Sequence, residues 1–150
     1  MNHYLFEDLA VGMEEQFEAD ITEDIMEAFY QITGDENPLH RDEAFARQKG
    51  YGRRVAYGLL TASFLSTLAG VYLPGERSLI HKVETEFCSP VYLGDHLTIH
   101  GKIQEMDERF QTITLKITIR NQDGKKVCRG KMQIGFLKEE EGLSKGTGEE

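Results

Sequence analysis

Apolar positions change their period part-way along this chain. Up to about Gly75 they recur at helical spacing; beyond Pro74-Gly75 they alternate. Thr22 is a helix N-cap, with Glu23 and Asp24 in a first turn that favours acids. Ile25, Met26, Phe29 and Ile32 follow on one face, so a helix is predicted to about Thr33. A short helix over 41–49 and a buried one over 55–70 come next. In 110–120, Ile113, Leu115, Ile117 and Ile119 face one way and Thr112, Thr114, Lys116, Thr118 and Arg120 the other, which predicts a half-buried antiparallel strand. The Asp123-Gly124 turn leads to a strand over 127–137 with Cys128, Met132, Ile134 and Phe136 inward. Leu97, Ile99 and Ile103 mark an earlier strand after Gly94-Asp95, and 79–88 supply another. A long helix followed by a meander is an α+β order, which a curved antiparallel sheet wrapped around one central helix satisfies.

The segment from Val55 to Gly75 carries no charge and is long enough to span a bilayer. Gly58, Thr61, Ser63, Ser66, Thr67, Gly70 and Pro74 interrupt it, so it reads instead as a helix apolar or small all round, which belongs in a core. A length of 150 residues with 39% hydrophobic content fits one domain, and no repeat is visible. A net charge of −9 argues against a nucleic-acid surface. Arg47, Lys49, Arg53 and Arg54 form a local basic cluster that reads either as a solvated loop or as an attractor for phosphates. No secretory leader is evident, so a cytoplasmic location is expected, with Cys88 and Cys128 reduced, half-buried strand residues. The tail over 139–150 is Glu, Gly, Ser and Lys without apolar spacing and is expected to be disordered.

The chemistry-bearing stretch is Gly34-Asp35-Glu36-Asn37-Pro38-Leu39-His40-Arg41-Asp42. Pro38 fixes its own φ and moves Asn37 out of the helical region, so Asp35 and His40 flank a bend that can bring both side chains to one point. A carboxylate and an imidazole that converge can hold one water and move its proton. The same residues also make an ordinary Asx turn with a surface histidine.

Together with Ala44 and the downstream Val55-Ala56-Tyr57-Gly58-Leu59-Leu60-Thr61-Ala62-Ser63, this stretch resembles the MaoC-like, (R)-specific enoyl-CoA hydratases of the hot-dog superfamily. The resemblance runs from about Tyr4 to Lys138, a single hot-dog domain over 1–138 followed by the acidic tail. Many members have His where this chain has Tyr57, a departure expected to alter the pocket wall rather than the chemistry. The resemblance implies that Asp35 and His40 activate water for addition to a trans-2-enoyl thioester, with Asn37 orienting Asp35 or the water. It leaves open which of the pair is the base. Gly58 reads from composition as a packing glycine; the resemblance makes its amide, near a helix N-terminus, a donor to the thioester oxygen. Ser63 matches a pocket-facing serine and is otherwise a small packing residue. No metal or redox cofactor is implied, since coenzyme A or a pantetheine carrier belongs to the substrate.

Phe6, Phe29, Tyr30, Phe64, Tyr72 and Phe87 are core residues or the lining of an acyl tunnel. His81, His96 and His100 lack metal-ligand spacing, and His3 reads as solvated. The hot-dog fold also hosts thioesterases and binding modules, so both stand as competing functions. A single hot-dog unit leaves a long strand edge open, and the strand with Ile113 to Ile119 is long, so at least a homodimer is expected.

Overall fold

The computed structural model describes residues 1–138, so the tail over 139–150, expected to be disordered, lies outside the described residues. In chain order the elements are β1 (Glu14–Asp20), α1 (Glu23–Thr33), α2 (Pro38–Arg41), α3 (Glu43–Gln48), α4 (Gly58–Thr67), β2 (Ser78–Phe87), β3 (His96–Asp107), β4 (Thr112–Arg120) and β5 (Lys126–Phe136). α4 continues into a π-helical stretch, Leu68–Tyr72, giving one helical run of 15 residues. All strand pairs are antiparallel, in the order β1-β3-β4-β5-β2. A curved five-stranded sheet against one central helix is the hot-dog arrangement.

The alternation in β4 sets the core. Ile113, Leu115, Ile117 and Ile119 are buried beside Leu97, Ile99 and Ile103 of β3 and Cys128, Met132 and Ile134 of β5. Leu60, Leu65 and Leu68 of the central helical run pack onto them. Each such side chain removed from water contributes about 1.5–3 kcal/mol, and the contacts hold the helix at a fixed height above the sheet.

Several expectations are corrected. β1 was not foreseen. The predicted helix over 55–70 begins at Gly58, because Val55 pairs with Tyr92 in an isolated bridge and the Ala56 amide donates to the Val91 carbonyl. Nor is that helix buried all round: Leu59 is 67% exposed, and Ser63 and Ser66 are also exposed. Ile32, placed on the inner face of α1, is exposed as well. Cys128 is buried, but Cys88 lies one residue past β2 and is exposed. The strand with Ile113 to Ile119 is no edge: β4 is bonded on both sides, and the sheet's open edges are β1 and β2. β2 carries the exposed apolar residues Leu79, Ile80, Val83 and Phe87.

Candidate active site

The site forms where α1, α2 and the start of α4 meet. α1 begins as predicted, with the Thr22 hydroxyl accepting from the Ile25 amide. It stops at Gly34, whose φ of 70° is a left-handed conformation that glycine adopts without a side-chain penalty. The chain then turns through Asp35, whose carboxylate accepts from the Asn37 amide at 3.1 Å. The Asn37 side chain accepts from the Leu39 amide at 3.0 Å and caps α2, with Pro38 in the first turn. The Asn37 backbone, not its amide group, therefore orients Asp35, and the side chain starts the helix that carries His40.

His40 is held from several directions. Its Nδ1 lies 2.7 Å from the Val55 carbonyl. A carbonyl only accepts, so Nδ1 carries a proton, and Nε2 is the ring nitrogen left without a protein partner among the described residues. Arg54 donates from Nε to the His40 carbonyl at 2.7 Å and pairs with Glu23 at 2.6 Å, clamping α2 to the start of α1. Arg41 stacks on the Tyr30 ring at 3.6 Å and pairs with Glu27 at 3.2 Å, which ties α2 to the middle of α1. The Tyr57 ring packs against His40, with centroids 4.3 Å apart.

His40, Gly58 and Phe87 border two adjoining cavities. One, of about 260 Å³, is completed by Phe29, Thr33, Asp35, Tyr57 and Leu59. The other, of about 340 Å³, is lined further by Tyr51, Val55, Ala56, Thr61, Val127 and the loop from Cys88 to Val91. Phe87 lies over Gly58: a Cβ on Gly58 would stand 3.3 Å from its ring. Gly58 is the first residue of α4. The amides of Leu60 and Thr61 return to the Tyr57 carbonyl, while those of Gly58 and Leu59 have no acceptor among the described residues. Such a helix start favours a negatively charged ligand atom.

Asp35, His40, Tyr57 and Gly58 are thus gathered at one place. Ser63 is not among the residues lining these two cavities, and its hydroxyl donates to the Leu60 carbonyl at 2.6 Å. Of the suggested tunnel aromatics, Phe29 and Phe87 border the site, whereas Tyr72 stacks on Phe17 and Phe6 meets Phe136 edge-on elsewhere. The basic cluster is spread among separate contacts: Arg47 to Glu43, Arg53 to Asp95, Arg54 to Glu23 and Lys49 over Phe45. Thr61, Val55 and Arg54 were not singled out for the site from sequence. Their roles rest on contacts between segments that no local spacing announces.

Known proteins are similar to this chain over most of its length. Residues 9–124 match the model of the MaoC like domain. The 3-hydroxybutyryl-CoA dehydratase of Methylorubrum extorquens is 37% identical over 101 residues, an alignment covering 67% of this chain and 64% of that enzyme. The (R)-specific enoyl-CoA hydratase of Rhodospirillum rubrum is 30% identical over 136 residues, covering 88% of this chain and 90% of that protein. Among solved structures, the unliganded R-hydratase PhaJ1 of Pseudomonas aeruginosa superposes with a TM-score of 0.84 at 28% identity, covering 89% of this chain and 86% of that one. With the family model spanning most of its length and relatives matching across the site, this chain belongs to the MaoC-like dehydratase and (R)-specific enoyl-CoA hydratase family, with the hot-dog fold.

Proposed function

We propose that the protein hydrates trans-2-enoyl-CoA to (R)-3-hydroxyacyl-CoA, or runs the reverse dehydration. The observation that carries this reading is the fixed tautomer of His40 at the cavity shared with Asp35 and Gly58. With Nδ1–H committed to Val55, Nε2 is free to accept a proton. A water held between Asp35 and His40 gives its proton to His40 as its oxygen bonds to the β carbon. Electron density moves through the conjugated system onto the thioester oxygen, where the Gly58 amide and the helix dipole stabilise it. The proton then passes from the pair to the α carbon on the same face. Proton and hydroxide both come from the one water, so the step balances without a further reactant. Asp35 orients the water's second hydrogen, and the Asn37 amide keeps the carboxylate aimed.

Relatives named for acyl-CoA and acyl-carrier-protein substrates support a thioester substrate. Incubation with crotonyl-CoA tests the reading against hydrolysis and simple binding. Loss of enoyl absorbance without free thiol is the expected result. Release of free thiol would make the protein a thioesterase, and no change on either readout would make it a binding module. The product should be oxidised by a 3-hydroxyacyl-CoA dehydrogenase specific for the R isomer and not by one specific for S.

A further inference from the structure

Thr61 is 1% exposed, and its Oγ1 is the one buried side-chain polar atom with no hydrogen-bond partner among the described residues. Burying an unpaired hydroxyl is costly, so such groups generally find a partner in protein, water or ligand. A helical threonine usually satisfies itself on the carbonyl four residues back. Here that carbonyl, of Tyr57, takes the amides of Leu60 and Thr61 instead. Ser63, two residues on, does satisfy itself, on Leu60. The Thr61 hydroxyl is therefore left over for a group from outside the chain.

Its location indicates which group. Thr61 follows Gly58 by three residues, and the two line the same cavity as His40. Residues three apart on a helix share a face, and side chains lean toward the helix N-terminus, so Thr61 reaches over the turn that Gly58 opens. The unclaimed amide of Gly58 and the unpaired hydroxyl of Thr61 thus occupy one end of one helix, where the dipole favours negative charge.

We propose that the Thr61 hydroxyl is a second hydrogen-bond donor to the carbonyl oxygen of the acyl thioester, acting beside the Gly58 amide. This rests on the hydratase reading above. The hydroxyl transfers no proton. It strengthens its bond as negative charge builds on the oxygen during water addition, so it acts chiefly on turnover.

Thr61→Val keeps the shape and removes the donor; Thr61→Ser keeps the donor. With crotonyl-CoA, Thr61→Val should lose about 10- to 100-fold in kcat with KM little changed, within the range for an oxyanion donor. Thr61→Ser should stay within about threefold of the unaltered protein, because the donor that acts on the transition state is kept. The thermal midpoint of Thr61→Val should equal or exceed that of the unaltered protein, because no unpaired polar group remains buried. Turnover by Thr61→Val at the unaltered rate would overturn the inference and leave the hydroxyl a mere water site. An equal loss in both variants would overturn it too, by making shape the cause. Either result leaves the hydratase reading standing, since the unaltered protein still hydrates. An unaltered protein inert to every enoyl thioester removes that reading and this inference together.

Discussion

The Tyr57 hydroxyl donates to the backbone carbonyl of Asp35 at 2.9 Å. One residue thereby caps the geometry of two: Tyr57 precedes the first residue of α4, and its ring packs on His40 and, at 4.9 Å, on Phe29. The phenol fixes the turn carrying Asp35 relative to the helix start carrying Gly58. The tyrosine is therefore a strut as well as a wall. Tyr57→Phe should cost about 1 kcal/mol of stability, the typical net value of one hydrogen bond, measured by urea unfolding. It should also lower kcat several-fold through misplacement of Asp35. Unchanged kcat with unchanged stability would show that the bond contributes nothing.

Asp35→Asn and His40→Ala should each lower hydration by about 10²- to 10⁴-fold, the usual span for a general acid or base. Neither change should disturb the fold, because Asp35 is exposed and His40 only half-buried. Circular dichroism and crotonyl-CoA kinetics together decide this. A folded variant with near-normal turnover would remove that residue from the mechanism.

Gly58 and Phe87 make a linked pair. A methyl on Gly58 meets the Phe87 ring at 3.3 Å, tighter than an ordinary carbon contact, so Gly58→Ala must push the ring or the helix start. Gly58→Ala should lower kcat more than it raises KM, since a displaced amide weakens transition-state binding first. Adding Phe87→Leu should recover part of the loss by giving the methyl room. If Gly58→Ala raised only KM, Gly58 would be a packing residue and not a donor.

How far the sequence could be read depended on how many partners each segment has. β4 was legible because it lies mid-sheet with one face buried, so Ile113, Leu115, Ile117 and Ile119 alternate cleanly with polar residues. β1 was not, because it pairs only with β3 and carries Glu14, Glu15, Gln16, Glu18 and Asp20 around a lone Phe17 and Ala19. Its residues are poor strand formers held by a neighbour 82 positions away at Phe17–Ile99, whose separation is set by the fold. At the site, the Asp35–His40 spacing and the Asn-Pro break were readable from residue types alone. The Val55 carbonyl that fixes the imidazole, and the Thr61 hydroxyl that lacks a partner, depend on how the loop before α4 docks on 91–93. No local pattern encodes that docking.

His96 offers a pH-dependent contact away from the site. It bonds Asp20 at 2.6 Å and lies 3.2 Å from Glu18, both on the neighbouring β1. Those hydrogen bonds, Asp20 first, raise its pKa above the usual 6.5. A raised folded-state pKa means that the contribution is full below the unfolded value of 6.5 and fades as pH rises through the folded value. The pairing should therefore hold β1 to β3 more firmly under mildly acidic conditions. An NMR titration of His96 should give a midpoint above 6.5, falling toward it in Asp20→Asn. The effect on overall stability should be small because the side chain is 42% exposed. A midpoint at or below 6.5 in the unaltered protein would mean that the carboxylates do not engage it.

The open edge at β2 argues for a second copy. Soluble proteins usually blunt an edge strand, yet β2 exposes Leu79 at 50%, Val83 at 45% and Phe87 at 52%. Lys82 and Glu84 neutralise each other along that strand in a 2.7 Å ion pair, which leaves little net charge to repel a like strand. The apolar surface continues onto the central helix, since exposed Leu59 borders the same cavity as Phe87. Antiparallel pairing of two β2 edges would extend the sheet, cover these residues and close the cavity beside Asp35 and His40. It would also explain why the Gly58, Leu59, Ser63 and Ser66 side of α4 is uncharged although it faces outward in a single chain. The protein should sediment at about twice its 17.1 kDa chain mass at micromolar concentration. Val83→Glu should place like charges on the paired edge, shift the particle toward the monomer and lower hydration with it. A fully active 17.1 kDa particle would show that the site is complete within one chain.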